Sequence, residues 1–157
     1  MPLTERLEAA AASRLARNLE AVQARIDAAA RDAGRAPAEI RLVAVTKKVP
    51  EVVIQGLLDL GVRDLGESRP EELARLRPLF EDVPDLRWHQ IGPYQRKKIT
   101  KTLSAVDLVH SVHDLALLST LDIRRRAQEP AATPLPVLIQ VNVSGESFLT
   151  PPGPLSE

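Results

Sequence analysis

The stretch RLVAVTKKVP, residues 41–50, decides the fold. Its four consecutive apolar residues, two of them β-branched, predict a short parallel strand that is buried on both faces. The sequence turns polar at Thr46, and Pro50 suits the first turn of a helix but not a central strand. Lys47 therefore ends a strand and stands at the carboxyl edge of the predicted sheet, which is where α/β proteins bind ligands.

A lysine at that edge, with an apolar strand behind it, can act as an amine nucleophile and form a Schiff base with a carbonyl compound. The alternative interpretation is a lysine that is simply solvated, which is common directly after a strand. Lys48 is a second candidate for the same role. The residue pattern alone does not separate Lys47 from Lys48.

Composition limits the classes of protein to consider. The chain has 157 residues, enough for one domain with a hydrophobic core. Its 21 acidic residues balance 21 basic ones, which argues against duplex DNA or an anionic membrane as a partner. The absence of cysteine excludes disulfides, thiolate metal sites and a cysteine nucleophile. Without a signal-peptide pattern or an apolar run of membrane-spanning length, the prediction is a cytoplasmic protein.

Segments typical of helices and strands alternate along the chain. An amphipathic helix is predicted over residues 5–33, with Thr4 as its N-cap and Gly34 as its stop. Later strands are predicted at residues 62–67, 86–92, 106–111 and 135–143. Two of the helices between them occupy residues 50–61 and 94–101. Another runs from the capping-box pair Ser68 and Glu71 to a stop at Pro78, and the last is opened by His113 and Asp114. Their expected apolar faces are Leu15, Leu19, Val22, Ile26 and Ala29 in the first helix, Val53, Leu57 and Leu60 in the second, and Leu115, Leu118 and Leu121 in the last.

Strands that alternate with helices predict a parallel sheet with right-handed crossovers. Two architectures fit, an open doubly wound sheet and part of a (β/α)₈ barrel. A full barrel needs roughly 250 residues, so five strands form either a complete open sheet or an incomplete barrel. Residues 1–146 form the predicted domain, and residues 147–157 are predicted to be a disordered or loosely packed tail.

Polar residues follow the predicted strands at the same edge as Lys47. They are Glu67, Ser68, Gly92, Gln95, Ser111, Asn142 and Ser144. This convergence is expected in a barrel whatever its function, so it supports a site only modestly. His89 is predicted to be structural, and His110 and His113 straddle a strand end, which is poor geometry for a metal. The basic cluster Arg96, Lys97, Lys98 and Lys101 is typical of a solvated helix face rather than of a phosphate or RNA site.

Five motifs, taken in order, resemble the pyridoxal phosphate homeostasis protein family. They are LVAVTK at residues 42–47, LGES at 65–68, WHQIGPYQRKK at 88–98, VHSV at 109–112 and IQVNVSGE at 139–146. The resemblance, over roughly residues 10–146, implies an alanine-racemase-like (β/α)₈ barrel of which this chain supplies about five parallel strands and an N-terminal helix. It implies pyridoxal 5′-phosphate held as a Schiff base on Lys47 rather than on Lys48, with Ser68, Ser111 and Asn142 as further cofactor-binding candidates.

The resemblance also implies a role for the chain, although the sequence departs from the family pattern in some places. The expected role is a carrier or buffer of pyridoxal phosphate and related vitamers, without efficient catalysis. Ser68 stands where the family usually has asparagine, and Leu149 where it has lysine. Three further βα units, with the phosphate-binding loops and an arginine near the pyridine nitrogen, are expected beyond this point. The chain thus resembles a truncated member, whose open sheet edge favours self-association.

Two other functions stay open. A racemase or decarboxylase of the same barrel type needs a second acid–base residue across the cofactor, and Tyr94 is the chain's one tyrosine. A half-barrel that binds no cofactor and dimerises or docks on a partner is the other alternative.

Overall fold

The structure is a computed structural model that describes residues 7–128 and 133–143. Strands and helices alternate through these residues, as the sequence predicts. The helices are α1 (Ala9–Asp32), α2 (Glu51–Asp59), α3 (Pro70–Leu76), α4 (Arg96–Thr102) and α5 (Leu115–Gln128). The strands are β1 (Ala44–Val45), β2 (Asp64–Glu67), β3 (Arg87–Gln90), β4 (Leu108–Val112) and β5 (Val137–Ile139). Thr4, Ser144 and the predicted tail at 147–157 lie outside the described residues.

The five strands form one parallel sheet in the order β1-β2-β3-β4-β5. Each strand therefore lies beside the strand that precedes it along the chain, and the order has no reversal. A doubly wound sheet would reverse at a switch point, whereas a barrel winds in one direction. The strand order thus selects the barrel-type architecture of the two that the sequence allows. Within the described residues β1 and β5 each pair on one side, so the sheet is open.

Side-chain alternation gives the sheet two faces with different surroundings. Leu65, Trp88 and Val109 belong to the hydrophobic core that the helices α2 to α5 share, and they define the helix face. Val45, Gly66, His89 and Leu108 lie in register across the four neighbouring strands and define the opposite, inner face. In a barrel the inner face surrounds the axis, so it is the side toward which a bound ligand would lie.

The prediction of a fully buried first strand is wrong. Only two residues of the stretch form strand hydrogen bonds, and Val45 is 50% exposed. The physical reason is that β1 has one partner strand and an uncovered inner face. The same reason applies to β5, which is three residues long rather than nine, and where Ile139 is 76% exposed.

The predicted stop of the first helix is confirmed, but its start is not. Gly34 adopts a left-handed φ of +69°, and Arg35 N–H donates to the Ala30 carbonyl oxygen in the pattern that closes a helix at glycine. The helix begins at Ala9, where Glu8 stands at the N-cap without a capping side chain. The predicted apolar stripe is covered only in part, because α1 packs on α2 near Gly56 while Val22 stays 41% exposed.

Three smaller predictions are corrected. The capping box of Ser68 and Glu71 does not form, since Arg69 is the N-cap and Pro70 opens the helix. In α5 the buried leucines are Leu117 and Leu121, whereas Leu115 is 80% exposed. In α2 the most buried side chains are Ile54 and Leu58, not Val53, Leu57 and Leu60. Helical periodicity gives the spacing of the residues on a buried face. The sheet on which a helix packs decides which side of that helix is buried.

Candidate functional site at the carboxyl edge of the sheet

Lys47 lies in a tight turn that follows β1 directly. The buried Thr46 anchors the turn, because its backbone N–H donates to the Gly66 carbonyl oxygen of β2 at 2.9 Å. Val49 N–H donates to the Thr46 carbonyl oxygen at 3.0 Å, which closes the turn around the two lysines. Lys48 has a left-handed φ of 60°. The turn fixes the backbone of Lys47 and leaves its side chain exposed, without a hydrogen bond or ion pair from the described part of the chain.

Sheet register places Lys47 relative to the other strands. Val45, Gly66, His89 and Leu108 form one row on the inner face. In β4 the next inner-face residue toward the carboxyl edge is His110, while Lys47, Ser68 and Ile91 follow the ends of β1, β2 and β3 at about the same level. Val43 and Ile91 approach the backbone of Gly66, each 3.3 Å from the Cβ that a larger residue would carry there, so these two side chains lie on the inner face.

Ser68 and Ser111 converge on Gly92, the residue after β3 and Ile91. Ser111 is buried, and its hydroxyl donates to the Gly92 carbonyl oxygen at 2.6 Å. The backbone of Ser68 lies so near Gly92 that a Cβ on Gly92 would fall 2.5 Å from the Ser68 carbonyl oxygen. Gln90 Nε2 joins the two loops by donating to both carbonyl oxygens, of Ser68 at 2.9 Å and of Gly92 at 3.0 Å. The Ser111 hydroxyl therefore helps to hold the loops of Ser68 and Gly92 together, and this contact region is the junction around Gly92.

Glu67 organises the turn from β2 into α3. Its Oε1 accepts from the backbone N–H groups of Ser68 at 2.7 Å and Arg69 at 3.0 Å, and from the Ser68 hydroxyl at 3.2 Å. The buried Glu67 Oε2 and Gln90 Oε1 have no hydrogen-bond partner among the described residues. Both oxygens belong to neighbouring strand positions, since Glu67 and Gln90 are paired across β2 and β3.

Asn142 stands apart from the other candidates. It is exposed and follows β5, whose continuation is fixed by the Gln140 N–H bond to the Val112 carbonyl oxygen at 2.8 Å. Lys47 follows β1, which is the outermost strand on the other side of the sheet from β5. The structure thus brings Ser68 and Ser111 together around Gly92, places Lys47 in the turn after the neighbouring strand β1, and leaves Asn142 three strands away from Ser68.

The helix N-termini at this edge bear on the binding of a phosphate group. Such N-termini attract anions through free N–H groups and the helix dipole. Here α2 carries Glu51 and α3 carries Glu71 and Glu72 in the first turn, and Asp114 already accepts from the Leu117 N–H at the start of α5. The described residues therefore fit the aldehyde end of a cofactor through Lys47, whereas the N-termini of α2, α3 and α5 disfavour its phosphate.

The basic cluster on α4 is used largely between helices. Lys98 Nζ lies 2.5 Å from Glu71 Oε1 of α3, and Arg96 lies 3.5 Å from Asp114. Hydrogen bonding to Lys98 is the main cause that lowers the pKa of Glu71. Lys97 and Lys101 are exposed. This arrangement agrees with the interpretation of the cluster as a solvated helix face.

One cluster of titratable residues was not predicted. His89 Nε2 lies 2.8 Å from Asp64 Oδ1, and His89 Nδ1 lies 2.9 Å from His110 Nε2. Burial lowers the pKa of His110, and the neighbouring His89 ring lowers it further. Spacing along the chain pairs His110 with His113, three residues further on. The pairing with His89 depends on strand register, which local sequence patterns do not give. No group of three or more metal-ligating side chains occurs within residues 7–128 and 133–143.

A cavity of about 590 Å³ lies at the other end of the sheet. Its lining includes Leu19 and Gln23 of α1, and Arg41, Asp64 and Arg87 near the amino ends of the first three strands. Because Lys47 lies at the carboxyl edge, this cavity is separate from the lysine turn. Ligands of barrels bind at the carboxyl edge, so the cavity does not identify the cofactor site.

Comparisons with known sequences agree on one family. The pyridoxal phosphate homeostasis protein of Pseudomonas aeruginosa is 40% identical over 135 residues, which are 86% of this chain and 57% of that protein. The protein of the same name from Escherichia coli K12 is 38% identical over 135 residues, 85% of this chain and 56% of that protein. The chain therefore spans about half the length of the curated relatives it matches. No family model matches the chain.

Solved structures give the same result at the level of the fold. A protein of unknown function from Bifidobacterium adolescentis superposes with a TM-score of 0.79 and 31% identity, over 94% of this chain and 63% of that one. PipY, the COG0325 family member of Synechococcus elongatus, solved with pyridoxal phosphate bound, gives a TM-score of 0.61 and 29% identity, over 73% of this chain and 49% of that one. Their fold is a TIM-barrel-like α/β fold. The turn at Lys47, the strand order and these relatives together place the chain in the family of the pyridoxal phosphate homeostasis proteins, of which it spans about half the length.

Proposed function

We propose that this chain binds pyridoxal 5′-phosphate, with Lys47 as the covalent anchor through a Schiff base, and that it serves the intracellular balance of this cofactor as a carrier. The observation that carries the proposal is an exposed lysine amine at the carboxyl edge of a barrel-type sheet, with no partner among residues 7–128 and 133–143. The names of the relatives and the cofactor bound to PipY support it. When bound, the cofactor supplies an aldehyde that reacts with a primary amine.

The chain's own residues prepare Lys47 for that role. Thr46, 1% exposed, ties the turn to β2, so the position of the lysine backbone is set by the sheet. Lys48 takes the strained left-handed conformation that the turn requires, which leaves Lys47 with ordinary backbone angles. This difference favours Lys47 over Lys48 as the anchor, in agreement with the motif.

Binding through Lys47 is expected to be weak in this chain. The phosphate group has to compete with acidic side chains at the N-termini of α2, α3 and α5. Ser68, Ser111 and Asn142 stay cofactor-binding predictions. Of the three, Ser111 is the least available, because its hydroxyl is buried and bonded to Gly92.

The test is a titration of the purified chain with pyridoxal phosphate, followed by absorbance in the visible band of a protonated Schiff base. Borohydride reduction then fixes the linkage, and peptide mass spectrometry identifies the modified lysine. Lys47→Arg keeps the positive charge and is expected to abolish the band, while the matched control Lys48→Arg is expected to keep it. A band that persists in Lys47→Arg, or a modified peptide that carries another lysine, contradicts the proposal.

The placement of Tyr94 argues against this tyrosine as the second acid–base residue of a racemase or decarboxylase. This residue is 3% exposed, and its hydroxyl bonds to Thr102 Oγ1 at 2.8 Å. Burial raises the pKa of Tyr94 to about 12, so the phenol is a poor proton acceptor near neutral pH. Because the ring belongs to the core under the helices, it is not placed across from Lys47. Turnover of D- or L-amino acids by the purified chain would restore the enzyme alternative.

Two further predictions concern self-association and location. Self-association through the open sheet edge is favoured by Ile139 and Val141, which are 76% and 71% exposed at or after β5. Sedimentation equilibrium tests it, and a monomer with a cooperative thermal transition contradicts it. A cytoplasmic location is the other. Within the described residues no helix has the length and apolarity needed to cross a bilayer.

A further inference from the structure

We propose that Asp64, His89 and His110 form a proton relay on the inner face of the sheet, and that its outer member, His110, is the acid–base residue of the Lys47 site. The acid–base part rests on the proposed function, whereas the relay itself does not. His89, treated above as a structural residue, becomes a positioning residue in this view. Asp64 is a second positioning residue at the inner end.

The geometry links the three side chains in one line across three strands. Asp64 lies in β2, His89 in β3 and His110 in β4. The contacts are 2.8 Å from Asp64 Oδ1 to His89 Nε2 and 2.9 Å from His89 Nδ1 to His110 Nε2. Both distances are within the usual range of hydrogen bonds. His89 is 1% exposed and Asp64 is 7% exposed, so water does not separate the members of the line.

The chemistry of imidazole then fixes the roles of the nitrogen atoms. The Asp64 carboxylate accepts from His89 N–H at Nε2. A neutral His89 consequently has its lone pair on Nδ1 and accepts from His110 N–H at Nε2. A neutral His110 is left with its lone pair on Nδ1. No hydrogen bond from the described residues reaches this atom.

Such a line can move a proton without moving a residue. When Nδ1 of His110 takes up a proton, Nε2 of His110 releases one to Nδ1 of His89. His110 is again neutral, and the positive charge is on His89 beside the Asp64 carboxylate. The reverse steps return the proton to the outer end. An aspartate that orients a histidine and stabilises its cation is the arrangement that makes histidine effective in acid–base catalysis.

The surrounding charges hold the inner end of the relay in place. Arg87 Nε lies 3.0 Å from Asp64 Oδ1, and Arg41 Nε lies 3.7 Å from the same oxygen. These two guanidinium groups form ion pairs that hold the carboxylate in place. From β4 the facing titratable group is His110, and β5 (Val137–Ile139) contributes none. His113 bonds to the Ser111 carbonyl oxygen and lies near Asp114, outside the line.

Sheet register brings the outer end to the level of Lys47. His110 is two residues beyond Leu108 in β4, and Lys47 is two residues beyond Val45, in the turn that follows β1, so both lie at about the same level of the sheet. Three strand spacings separate them, roughly 14 Å along the sheet and less across its curvature. This distance is too long for direct contact. It leaves room between the tips of the two side chains for the carbonyl group of a ligand that reacts with Lys47.

The reaction at Lys47 needs such a residue. Condensation of the neutral lysine amine with an aldehyde forms a carbon–nitrogen double bond and breaks the carbon–oxygen bond. The aldehyde oxygen leaves as water with the two hydrogens of the amine. A residue that accepts one of these protons and delivers it to the departing oxygen speeds loading and, in reverse, release. A relay-linked imidazole does both, because its proton is returned after each transfer.

The relay is tested first in the chain without cofactor. Nuclear magnetic resonance of ¹⁵N-labelled imidazoles, followed from acid to neutral pH, reports which nitrogen of each histidine carries a proton. The expected result is that the nitrogen signals of His89 and His110 change together with pH, with those of the exposed His113 as an internal reference. His110→Gln, whose side chain is only part-buried, is expected to change the titration of His89. Independent titration of His89 and His110 overturns the relay.

The link to Lys47 is tested by the rate at which the visible band forms after mixing with pyridoxal phosphate. His110→Gln is expected to slow loading on the order of 100-fold and to remove its pH dependence in the imidazole range. The equilibrium amplitude should change little, and the matched control His113→Gln should load like the original chain. An unchanged rate in His110→Gln overturns the acid–base role.

Substitution of Asp64, a buried member of the relay, gives a second check. Asp64→Asn keeps the size of the side chain and should reproduce the slower loading. Circular dichroism of this variant must show that its fold is intact. If Asp64→Asn unfolds, the titration and the His110→Gln rate decide the proposal alone. If the original chain forms no band, the proposed function fails and the acid–base role fails with it, while the titration still decides the relay.

Discussion

The Ser111 hydroxyl donates a hydrogen bond of 2.6 Å to the carbonyl oxygen of Gly92. This contact connects β4 to the loop that follows β3, at the edge where the sheet carries its polar residues. The same carbonyl oxygen accepts from Gln90 Nε2 at 3.0 Å, so two donors hold it. The junction around Gly92 is therefore a defined structural feature beside the lysine turn, and it can be tested separately from cofactor binding.

Gly92→Ala is expected to destabilise the fold strongly. The added methyl group would lie 2.5 Å from the Ser68 carbonyl oxygen and 2.9 Å from Ser68 Cα, which are backbone atoms that cannot rotate away. We expect the free energy of unfolding to fall by about 2–3 kcal/mol, as for overpacked sites. Urea denaturation followed by circular dichroism measures it.

Gly56→Ala is the matched control for this substitution. Its methyl group would also meet an atom at 2.5 Å, but that atom is the terminal Cδ1 of Leu7, which can rotate. Gly56 is also inside α2, where alanine is favoured over glycine by about 1 kcal/mol. An equal loss of stability in Gly56→Ala and Gly92→Ala would contradict the importance of the backbone contact.

Ser111→Ala is expected to cost about 1 kcal/mol of unfolding free energy through the lost hydrogen bond. The loss is limited because Gln90 still donates to the Gly92 carbonyl oxygen. Ser104→Ala, at an exposed position, should change stability by less than about 0.5 kcal/mol. Thermal denaturation of both variants measures the difference, and similar values for the two serines would show that the Ser111 contact does not stabilise the fold.

Lys48→Gly is expected to stabilise the chain. Lys48 has a φ of 60°, a left-handed conformation that costs a residue with a side chain roughly 1–2 kcal/mol and glycine nothing. Part of this gain is lost because glycine makes the unfolded chain more flexible, so we expect a net increase of about 1 kcal/mol in the free energy of unfolding. Chemical denaturation provides the measurement.

Lys47→Gly is the control for this prediction, because Lys47 does not have a left-handed φ. It should lower stability slightly through the flexibility of glycine alone. A gain in Lys47→Gly as large as that in Lys48→Gly would show that removal of a positive charge, and not relief of backbone strain, is the cause.

Asp114 is expected to make stability depend on pH in the acid range. The hydrogen bond from the Leu117 backbone N–H lowers the pKa of Asp114 below its usual value of 3.8, and His113 and Arg96 lower it further. A group whose pKa is lowered by folding stabilises the fold above its usual pKa, and this contribution is lost as the pH falls through the folded pKa. Asp114→Ala should therefore cost about 1 kcal/mol at neutral pH, as for other N-caps, and less in acid.

Unfolding of Asp114→Ala and of the original chain, compared at neutral pH and below the usual aspartate pKa, tests this. The matched control is Asp122→Ala, an exposed residue of the same helix whose carboxylate pairs with Arg126 instead of the helix N-terminus. A stability difference for Asp114→Ala that is independent of pH contradicts the assignment.

Much of the architecture could be predicted from local patterns. Buried apolar runs between Gly and Pro signals gave the alternation of strands and helices, and the position of Gly34 gave the end of α1. The motif at residues 42–47 gave the position of Lys47 after the first strand. These features depend on contacts within a few residues, so they are present in the sequence itself.

The register of the strands and the rotation of the helices were not available from the sequence. The burial of Leu117 rather than Leu115, and the exposure of Val45, follow from which elements pack against them. The capping box of Ser68 failed for a similar reason, because the Ser68 hydroxyl bonds to Glu67 while Gln90 and Gly92 fix its backbone.

The sequence by itself determined the class of fold, the family and the residue that is expected to anchor the cofactor, because each depends on short segments with their own spacing. Tertiary structure alone decided the barrel-type strand order and the line from Asp64 through His89 to His110. Asp64 and His110 are 46 positions apart in the chain and are joined only through His89. The physical reason is that parallel strands connected by helices place distant residues side by side, and their register is set by hydrogen bonds between strands rather than by neighbours in sequence.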